Sequence, residues 1–487
     1  MIIRNKIAVV IFLLMLFPIT YTSETNEAFV KNDTEISSER NFGEQIRGKQ
    51  PYTGTIPTTC FVGPDSAYQV VMDSLNNAIW SFYLEVYTLS SQPLVNALID
   101  AVNRGVDVQV SLSHDRVNPY EDNYTLEAAY RLDQAGILVT WCSSSFAYTH
   151  AKFWIVDSET AYIYSGNWAP SSIPQYSQAY ENREMGLAFQ NTDIATYFEN
   201  LFFDDQAIGN PYAGTEPHNG ELQDNTTSGS YSPQFFEESF NEYTEVLPVI
   251  SPDNSYTEIH SLLESANVSI NVELQYIKFD CEFLDDLLAA AQRGVSIKVL
   301  IPEPGSTNEN VTETLLSYGI EVRFFAGLKH NHNKYINVDG EIVCISSINW
   351  SNNSVVNNRE AGAIVKNTNI ANYFSEVFNY DWGKAELPSG LLPVSFVDPK
   401  IGGIISDEDT IQVSFSGYNY TQAEFFINNS LVHTWINPSG IESFHIDTTS
   451  FSNGIHTMKV VGDVESATDI TIQGRVNIID TTELGVV

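Results

Sequence analysis

The chain has 487 residues, of which 43% are hydrophobic and 12% aromatic, a composition that indicates a folded protein and excludes a disordered one. At roughly 100–200 residues per domain, the chain has room for two to four domains. Its 61 acidic and 23 basic residues give a net charge of −38, which disfavours tight, non-specific binding of nucleic acid because phosphate contacts need lysine and arginine.

The N-terminus has the pattern of a secretory signal peptide. Arg4 and Lys6 precede an apolar run from Ile7 to Ile19, and small polar residues follow it. The run is shorter than the roughly 20 apolar residues of a membrane-spanning helix, although an uncleaved anchor is the alternative. We predict a signal peptide over residues 1–23, a polar linker over 24–58, and a protein that is secreted or held at the cell surface.

The cysteine content leaves two alternatives open. The four cysteines are Cys60, Cys142, Cys281 and Cys344. In an exported chain they permit two disulfides, with three pairings open. Alternatively, some are buried free thiols, because free cysteine is among the most buried residue types. None stands in a C-x-x-C pair or beside a histidine at zinc spacing, so we expect no zinc site.

Helical and β-type patterns alternate along residues 59–204, which we predict to be the first of two repeats. Apolar residues at helical spacing, and runs of β-branched and aromatic residues, mark the elements. The predicted helices cover 68–78, 94–104 and 126–135, and the predicted strands cover 79–89, 106–112 and 137–141. Gly105 and Gly136 end the second and third helices as C-caps.

Residues 246–386 have the same order and form the predicted second repeat. Its predicted helices cover 256–266, 283–293 and 311–318, and its predicted strands cover 268–277, 295–301 and 320–325. Strands that alternate with helices of about ten residues predict an α/β fold with mixed or parallel sheets flanked by helices. Residues 205–245, rich in Gly, Pro, Asn and Ser, are predicted to be a linker or a long surface loop.

The character of the chain changes after the second repeat. From residue 393 to 487, short β-type runs are separated by turn residues, a spacing typical of an all-β sandwich of immunoglobulin-like type. No group of catalytic side chains is found in this region. We therefore expect it to serve in attachment or recognition, with a ligand that the sequence leaves open.

One motif occurs twice, at matching points of the two repeats. It reads H-x-K-x4-D-x7-S-x-N-W in both copies. The first copy contains His150, Lys152, Asp157, Ser165 and Asn167, and the second contains His332, Lys334, Asp339, Ser347 and Asn349. Each copy lies on a predicted strand-turn-strand, where residues two apart face the same side, so the histidine and the lysine project together. A lone histidine is more often structural, and it is the duplication that indicates a functional site.

The pairing of histidine with lysine suits a phosphate group. The lysine ammonium neutralises phosphate oxygens, and histidine can act as a nucleophile or as a general acid near neutral pH. Two copies related by a pseudo-twofold axis would place histidines on opposite sides of one phosphorus, where one attacks and the other protonates the leaving oxygen. Lys152, Lys334, Asn167 and Asn349 would stabilise the charge on the phosphoryl oxygens, so we expect neither a metal nor another cofactor.

A second doublet follows the motifs. Glu184 ends an Asn-Arg-Glu segment in the first repeat, and Glu360 ends the same segment in the second. Carboxylates at these places could accept the Nδ1 proton of a catalytic histidine and fix its tautomer, as a triad aspartate does. Pairing with the arginine beside them is the alternative.

The remaining motif residues have two interpretations each. Asp157 and Asp339 would either orient groups in the catalytic site or hold the turn of the hairpin, since aspartate is a common turn residue. Ser165 and Ser347 would bind the phosphate or a neighbouring side chain, or serve as structural residues at a strand end.

The doubled motif resembles the signature of the phospholipase D superfamily, H-x-K-x4-D-x6-G-S-x-N. The resemblance covers residues 60–385 and departs at one position, where Tyr164 and Ser346 replace the glycine before the motif serine. It implies a two-repeat α/β sandwich with one site at the repeat interface and a covalent phosphohistidine. It also implies His150 as the nucleophile and His332 as the general acid, a choice that the residues by themselves leave open.

We expect an exported phosphodiesterase that hydrolyses a phospholipid headgroup or transfers the phosphatidyl group to an alcohol. A metal-independent nuclease built on the same site is the second hypothesis, which the net charge disfavours. A non-catalytic surface or adhesion protein that uses the β-sandwich is the third, and the intact pair of motifs argues against it. The internal pseudo-twofold axis predicts a monomer.

Overall fold

The computed structural model of the protein describes residues 50–113, 119–176, 181–215, 220–224, 231–303, 309–386, 388, 394–399, 403–415, 419–464 and 470–479. The predicted signal peptide and residues 24–49 of the predicted linker lie outside this part, so both stay predictions. Among the helices described, none is long and apolar enough to cross a membrane.

The first repeat follows the predicted order and adds elements at both ends. Its helices are α1 (Ala67–Asn77), α2 (Gln92–Asn103), α3 (Pro119–Gln134) and α4 (Thr192–Ile208), and its strands are β1 (Tyr52–Gly63), β2 (Ser81–Val86), β3 (Asp107–Leu112), β4 (Leu138–Trp141), β5 (Lys152–Val156), β6 (Thr160–Tyr164), β7 (Asn182–Gln190) and β8 (Asn210–Pro211). Helix α2 shows why these segments fold locally: Leu94, Leu98 and Ala101 recur at helical spacing and are buried. Gly105, with a φ of 95°, follows the helix end.

The second repeat has the same order of elements. Its helices are α5 (Ser255–Glu264), α6 (Glu282–Gln292), α7 (Glu309–Ser317), α8 (Asn352–Val356) and α9 (Thr368–Lys384), and its strands are β9 (Glu238–Ser251), β10 (Ser269–Leu274), β11 (Ser296–Ile301), β12 (Glu321–Phe324), β13 (His330–Asn331), β14 (Lys334–Val338), β15 (Ile342–Ser346) and β16 (Glu360–Lys366). The sequence analysis does not predict α4 and α9. Each of these helices begins after an asparagine, Asn191 or Asn367, whose side chain accepts hydrogen bonds from backbone N–H groups of the first turn.

The strands of both repeats form one mixed sheet, in the order β12-β11-β10-β14-β15-β16-β9-β1-β7-β6-β5-β2-β3-β4-β8, with β13 paired to β7. The pairs β2–β3, β3–β4, β10–β11 and β11–β12 are parallel. The antiparallel pair of β1 and β9 joins the repeats, and the order of equivalent strands is the same on its two sides. The predicted mixed α/β architecture is confirmed, but the two repeats share a single sheet.

The sheet corrects two predicted boundaries. Strand β1 begins at Tyr52 and pairs with β9, so residues 52–58 belong to the sheet and not to a linker. Helix α4 extends to Ile208 and β9 begins at Glu238, so the predicted linker 205–245 contains ordered elements at both ends. Polar residues dominate the start of β1, and its pairing with a strand of the other repeat makes it a strand.

Three hydrophobic clusters stabilise the two repeats. One cluster in each repeat packs the outer helices on the sheet, with Trp154 and Trp168 in the first and Trp350 in the second. The third cluster combines Phe198 of α4 and Phe374 of α9 with strand residues from both repeats. Because it takes apolar side chains from both, burial of this layer holds one repeat against the other.

The described strands after the second repeat form two sheets. One contains β17 (Val394–Asp398), β19 (Glu408–Phe415) and β22 (Gly440–Asp447), and the other contains β18 (Ile404–Ser406), β20 (Tyr420–Ile427), β21 (Ser430–Ile436), β23 (Gly454–Val464) and β24 (Ile470–Ile479). Val413 of the first sheet and Phe425 of the second belong to one hydrophobic cluster. The β-rich character of this region is as predicted, and its classification as an immunoglobulin-like sandwich stays a prediction.

All four cysteines are buried free thiols. Cys60 packs in the cluster shared by the repeats, and Cys281 and Cys344 pack in the cluster of the second repeat. Burial raises the pKa of the Cys281 thiol to about 12. The alternative with two disulfides therefore does not hold in this structure, and the cysteines serve as small apolar core residues.

Candidate active site between the two repeats

The two motif copies meet at the boundary between the repeats. The backbone N–H of His150 donates to the carbonyl of Arg359 at 2.7 Å, and that of His332 donates to the carbonyl of Arg183 at 3.1 Å. Each arginine belongs to the Asn-Arg-Glu segment of the opposite repeat. The main chain itself therefore ties each motif to the other half of the molecule.

Each histidine is paired with the glutamate of the other repeat. Nδ1 of His150 lies 2.7 Å from Oε2 of Glu360, and Nδ1 of His332 lies 2.8 Å from Oε1 of Glu184. The histidine side chains are 13% exposed, and both glutamates are fully buried. The sequence analysis predicts glutamate partners for the histidines, and the structure adds that they are exchanged between the repeats.

Burial and the contacts between these four groups together set their protonation. Burial lowers the pKa of His150 to about 4, against the opposing effect of Glu360, and burial likewise lowers the pKa of His332. Burial raises the pKa of each glutamate, but the contacts with histidine, lysine and neighbouring donors outweigh it, so the pKa of Glu184 and of Glu360 is lowered. At neutral pH this gives two neutral histidines that donate Nδ1–H to ionised carboxylates, with Nε2 unprotonated.

Hydroxyl and amide donors hold the two carboxylates in place. Each accepts one hydrogen bond from its motif serine and one from a second residue. The four bonds are Ser165–Glu184 at 2.6 Å, Ser172–Glu184 at 2.7 Å, Ser347–Glu360 at 2.6 Å and Asn358–Glu360 at 2.9 Å. The motif serines therefore bind a neighbouring side chain, one of their predicted interpretations, and orient the glutamates that orient the histidines.

The two motif lysines put local positive charge beside the histidines. Nζ of Lys152 donates to the backbone carbonyl of His150, and Nζ of Lys334 donates to that of His332 at 2.5 Å. Burial lowers the pKa of Lys334 to about 8. Within the described residues, no group of three or more His, Cys, Asp or Glu could hold a metal ion, and metal independence stays a prediction.

The motif asparagines have unused hydrogen-bonding capacity. The Oδ1 atoms of Asn167 and Asn349 are buried and have no partner among the described residues. A buried amide without a partner costs free energy. These two groups, next to the serines that hold the glutamates, are therefore suited to bind a polar ligand.

Asp157 and Asp339 do not lie with the histidines. Each has a φ of 55° at the turn of its motif hairpin. The motif lysine is at the other end of a five-residue strand, roughly 17 Å away. Asp157 accepts backbone N–H bonds from Ile79, Trp80 and Ser81, and Asp339 accepts them from Asn267, Val268 and Ser269. These carboxylates hold the first residues of the neighbouring strand in place. The catalytic interpretation of Asp157 and Asp339 is therefore corrected.

Two buried arginine clusters beside the site were not predicted from the sequence. Arg183 binds Asp65 at 2.6 Å and Asp381 at 2.7 Å, and Arg359 binds Asp205 at 2.9 Å and also Asp253. Each arginine thus links both repeats and does not pair with the glutamate beside it. Alignment of the repeats could have found these residues, since Pro-Asp occurs at 64–65 and 252–253, and F-x-x-D at 202–205 and 378–381.

Tyr164, one of the two departures from the superfamily signature, is accommodated in the core. Its hydroxyl donates to the carbonyl of Ser172 at 2.7 Å, and its ring stacks on Phe61. A Cβ atom at Gly63 would lie 2.5 Å from that hydroxyl, so the glycine makes room for the tyrosine. Ser346 is also buried.

The chain matches a protein family in both repeats. The family is described as "Cardiolipin synthase, PLD-like domain", and the matched residues are 71–206 and 259–382. Together they make up more than half of the chain, and each match contains one copy of the histidine motif.

Proteins similar to this chain include lipid enzymes and a nuclease. Mitochondrial cardiolipin hydrolase of Mus musculus is 32% identical over 92 residues, which is 19% of this chain and 42% of that protein. Cardiolipin synthase 2 of Staphylococcus epidermidis is 26% identical over 141 residues, 27% of this chain and 28% of that protein. The chain thus spans less than half of either relative. The 5'-3' exonuclease PLD3 of Xenopus laevis is 22% identical over 437 residues, 76% of this chain and 85% of that protein.

A solved structure supports the fold. The crystal structure of phosphatidylserine synthase from Haemophilus influenzae covers 71% of this chain and 90% of its own, with a TM-score of 0.54 and 14% sequence identity. The family match spans the two repeats whose motifs the structure brings together. The chain therefore belongs to the PLD-like domain family of the cardiolipin synthase type, within the phospholipase D superfamily.

Proposed function

We propose that the protein is an exported phosphodiesterase that works through a covalent phosphohistidine. The observation that carries the proposal is the pair of buried histidines, His150 and His332, each held through Nδ1 by a glutamate of the other repeat. That hydrogen bond favours the tautomer with an unprotonated Nε2, the form of histidine that attacks phosphorus or removes a proton.

In the proposed first step, Nε2 of His150 forms an N–P bond while the P–O bond to the leaving group breaks. The leaving oxygen takes a proton from Nε2 of His332 and departs as a neutral alcohol. Burial lowers the pKa of His332, and the charge of Lys334 lowers it further. The anionic phosphodiester offsets that positive charge and raises the pKa of the histidine in the complex, so the substrate helps to protonate the proton donor.

In the proposed second step, water gives a proton to Nε2 of His332 as its oxygen forms a new P–O bond. The N–P bond breaks, and its electron pair returns to His150. An alcohol in place of water would give transfer instead of hydrolysis. Lys152 and Lys334 would neutralise the phosphoryl oxygens in both steps. Asn167, whose Oδ1 has no partner among the described residues, would turn its NH2 group towards one of these oxygens.

A phospholipid is the substrate that we propose first. The description of the family names cardiolipin synthase, a lipid enzyme, and the net charge of −38 repels a long polyanion. Nuclease activity is the second candidate, because the relative that aligns over 76% of this chain is a 5'-3' exonuclease. A single-stranded end would need only the local positive charge of Lys152 and Lys334.

Export is proposed from the signal-peptide pattern of residues 1–23. A surface protein that does not catalyse, and uses residues 393–487 for adhesion, is the remaining alternative. It would have to retain two buried histidine–glutamate pairs without using them.

The decisive experiment compares two substrates in the presence of EDTA. Purified protein is incubated with phosphatidylcholine vesicles and with labelled single-stranded DNA, and choline and nucleotides are measured. Release of choline that is lost in His150→Asn and in His332→Asn supports the lipid substrate, and release of nucleotides supports the nuclease. His330→Asn, which changes an exposed histidine of β13, is the matched control and should keep its activity. A wild type that cleaves neither substrate, nor bis(p-nitrophenyl) phosphate, contradicts the proposed function.

A further inference from the structure

The two halves of the site match at the histidines, lysines and glutamates but differ at one neighbouring position. The last residue of β2 pairs with Lys152, and the last residue of β10 pairs with Lys334. The residue that follows each of these strands is therefore structurally equivalent. It is Tyr87 in the first repeat and Gln275 in the second, so the pseudo-twofold symmetry is broken beside the catalytic groups.

Tyr87 packs against the catalytic groups of the first motif. Its side chain is buried, with 7% exposure. Its ring centre lies 5.0 Å from that of His150, with an angle of 63° between the planes, and Nζ of Lys152 lies 5.4 Å from the same ring centre. Tyr148 packs edge-on against Tyr87, with 6.2 Å between the ring centres. One ring therefore supports both the histidine and the lysine, by aromatic contact and by cation–π attraction.

Gln275 serves the second motif differently. Its Oε1 accepts a hydrogen bond from Nζ of Lys334 at 3.4 Å, and this Nζ also lies 3.2 Å from Nδ1 of His332. Glu184 competes for the same Nδ1 at 2.8 Å. The ionised Glu184 is the nearer partner, so His332 keeps its proton on Nδ1 as His150 does, and this half of the site differs by the polar amide of Gln275 in place of a ring.

The asymmetry bears on which histidine attacks. In an in-line displacement the attacking nitrogen must keep one orientation, and a misplacement of about 1 Å can cost about 100-fold in rate. We propose that Tyr87 is the positioning residue that makes His150 the attacking histidine, because the second motif has the amide of Gln275 beside Lys334 in place of this ring. The inference rests on the proposed phosphodiesterase function.

The test locates the phosphorus after one turnover. Enzyme is mixed with bis(p-nitrophenyl) phosphate, whose leaving group needs little help from an acid, and is quenched in alkali, where phosphohistidine survives. Peptides that contain His150 or His332 are then analysed by mass spectrometry. The wild type is expected to carry the phosphoryl adduct on His150. The exchange variant, Tyr87→Gln with Gln275→Tyr, is expected to carry a large share of it on His332.

Single substitutions of Tyr87 test whether its aromatic ring positions His150. Tyr87→Gln is expected to slow the burst of p-nitrophenol by about 10- to 100-fold, and Tyr87→Phe, which keeps the ring, is expected to restore it. The burst rate falls at low pH as His150 becomes protonated. In Tyr87→Gln this fall should begin at a higher pH, because water beside His150 weakens the lowering of its pKa by burial. The described charged groups that face His150, namely Glu360, Lys152 and Lys334, are unchanged in this variant. A merely structural defect would lower the amount of active enzyme without changing the pH at which this fall begins.

Tyr256→Gln is the control, because it removes a tyrosine ring that stacks on Phe283 and His260 of the second repeat. Its burst rate and adduct should match those of the wild type. An exchange variant that keeps its adduct on His150, with a burst within about twofold of the wild type, overturns the inference. If the exchange variant does not fold, equal bursts in Tyr87→Gln and Tyr87→Phe overturn it instead. A wild type without any histidine adduct refutes the proposed function itself.

Discussion

Replacement of Asp339 tests whether the aspartate of the doubled motif acts in structure or in catalysis. Its carboxylate accepts backbone N–H bonds from Asn267 at 3.0 Å, and from Val268 and Ser269 at 2.8 Å each. These three residues lead into β10, the strand that pairs with the motif strand β14. We therefore expect Asp339→Asn and Asp339→Ala to lower stability and to leave the catalytic rate of the folded enzyme unchanged.

The expected loss of unfolding free energy follows from the number of these hydrogen bonds and from their exposure to water. A hydrogen bond to a charged group contributes about 1.5–3 kcal/mol, but Asn267 and Val268 are exposed, so water can replace part of what they lose. Asparagine keeps an acceptor and tolerates the φ of 55°, so Asp339→Asn should cost about 2 kcal/mol of unfolding free energy. Alanine loses all three bonds and is strained at positive φ, so Asp339→Ala should cost about 4 kcal/mol.

The assay combines urea denaturation with kcat for bis(p-nitrophenyl) phosphate, expressed per folded molecule. Burial raises the pKa of Asp339, but the three backbone donors outweigh it and leave the pKa lowered. Its stabilising effect is therefore complete above the ordinary aspartate pKa of about 3.9 and is lost as pH falls through the lowered value. The stability difference between wild type and Asp339→Asn should vanish in the same range.

A matched control is Asp100→Asn, which changes an exposed aspartate of α2 and should alter neither quantity. A loss of about 100-fold or more in kcat, in Asp339→Asn protein that is as stable as the wild type, would refute the structural assignment. It would favour the catalytic interpretation of Asp339, one of the two that the sequence left open.

Three further predictions concern the site and the contacts between repeats. Burial lowers the pKa of Lys334 to about 8 and also lowers the pKa of His332, so kcat/KM should rise as pH falls through about 8, since Lys334 must be charged and His332 protonated; an optimum above that pH in a pH–rate profile would contradict this. Glu360→Gln keeps an acceptor for His150 but removes the negative charge. Steady-state kcat should therefore fall by about 10²–10⁴-fold with little change in melting temperature. A fall in kcat of less than about fivefold would contradict this role of Glu360. Arg183→Leu leaves Asp381 unpaired and should cost about 3–5 kcal/mol in urea denaturation, with a smaller cost when Asp381→Leu is added; strictly additive costs would exclude a direct pair.

Local patterns in the sequence account for most of the elements that the structure contains. Apolar spacing predicted α2, and Gly105 predicted its end, because both signals lie within one element and its first turn beyond. Strand β1 and helix α4 were not predicted. The start of β1 is polar and is a strand through its pairing with β9, and α4 forms part of a layer shared by the two repeats. Such contacts join residues far apart in the chain and leave little local signal.

By itself, the sequence determined the chemical groups of the candidate site. The duplication of His150 and Lys152 at His332 and Lys334, followed by a glutamate in each repeat, identified the groups that the structure brings together. That inference needed only residue types and spacing, because histidine, lysine and carboxylate have the chemistry of phosphoryl transfer in any fold.

Only the tertiary structure decided how those groups are shared. In the folded chain each histidine pairs with the glutamate of the other repeat, and Asp157 and Asp339 lie outside the site. Tyr87 packs against His150, whereas Gln275 accepts a hydrogen bond from Lys334. The physical reason is that each of these contacts crosses between strands or between repeats. Their partners are fixed by the pairing of β1 with β9 and by the shared hydrophobic layer, and not by any spacing along the chain.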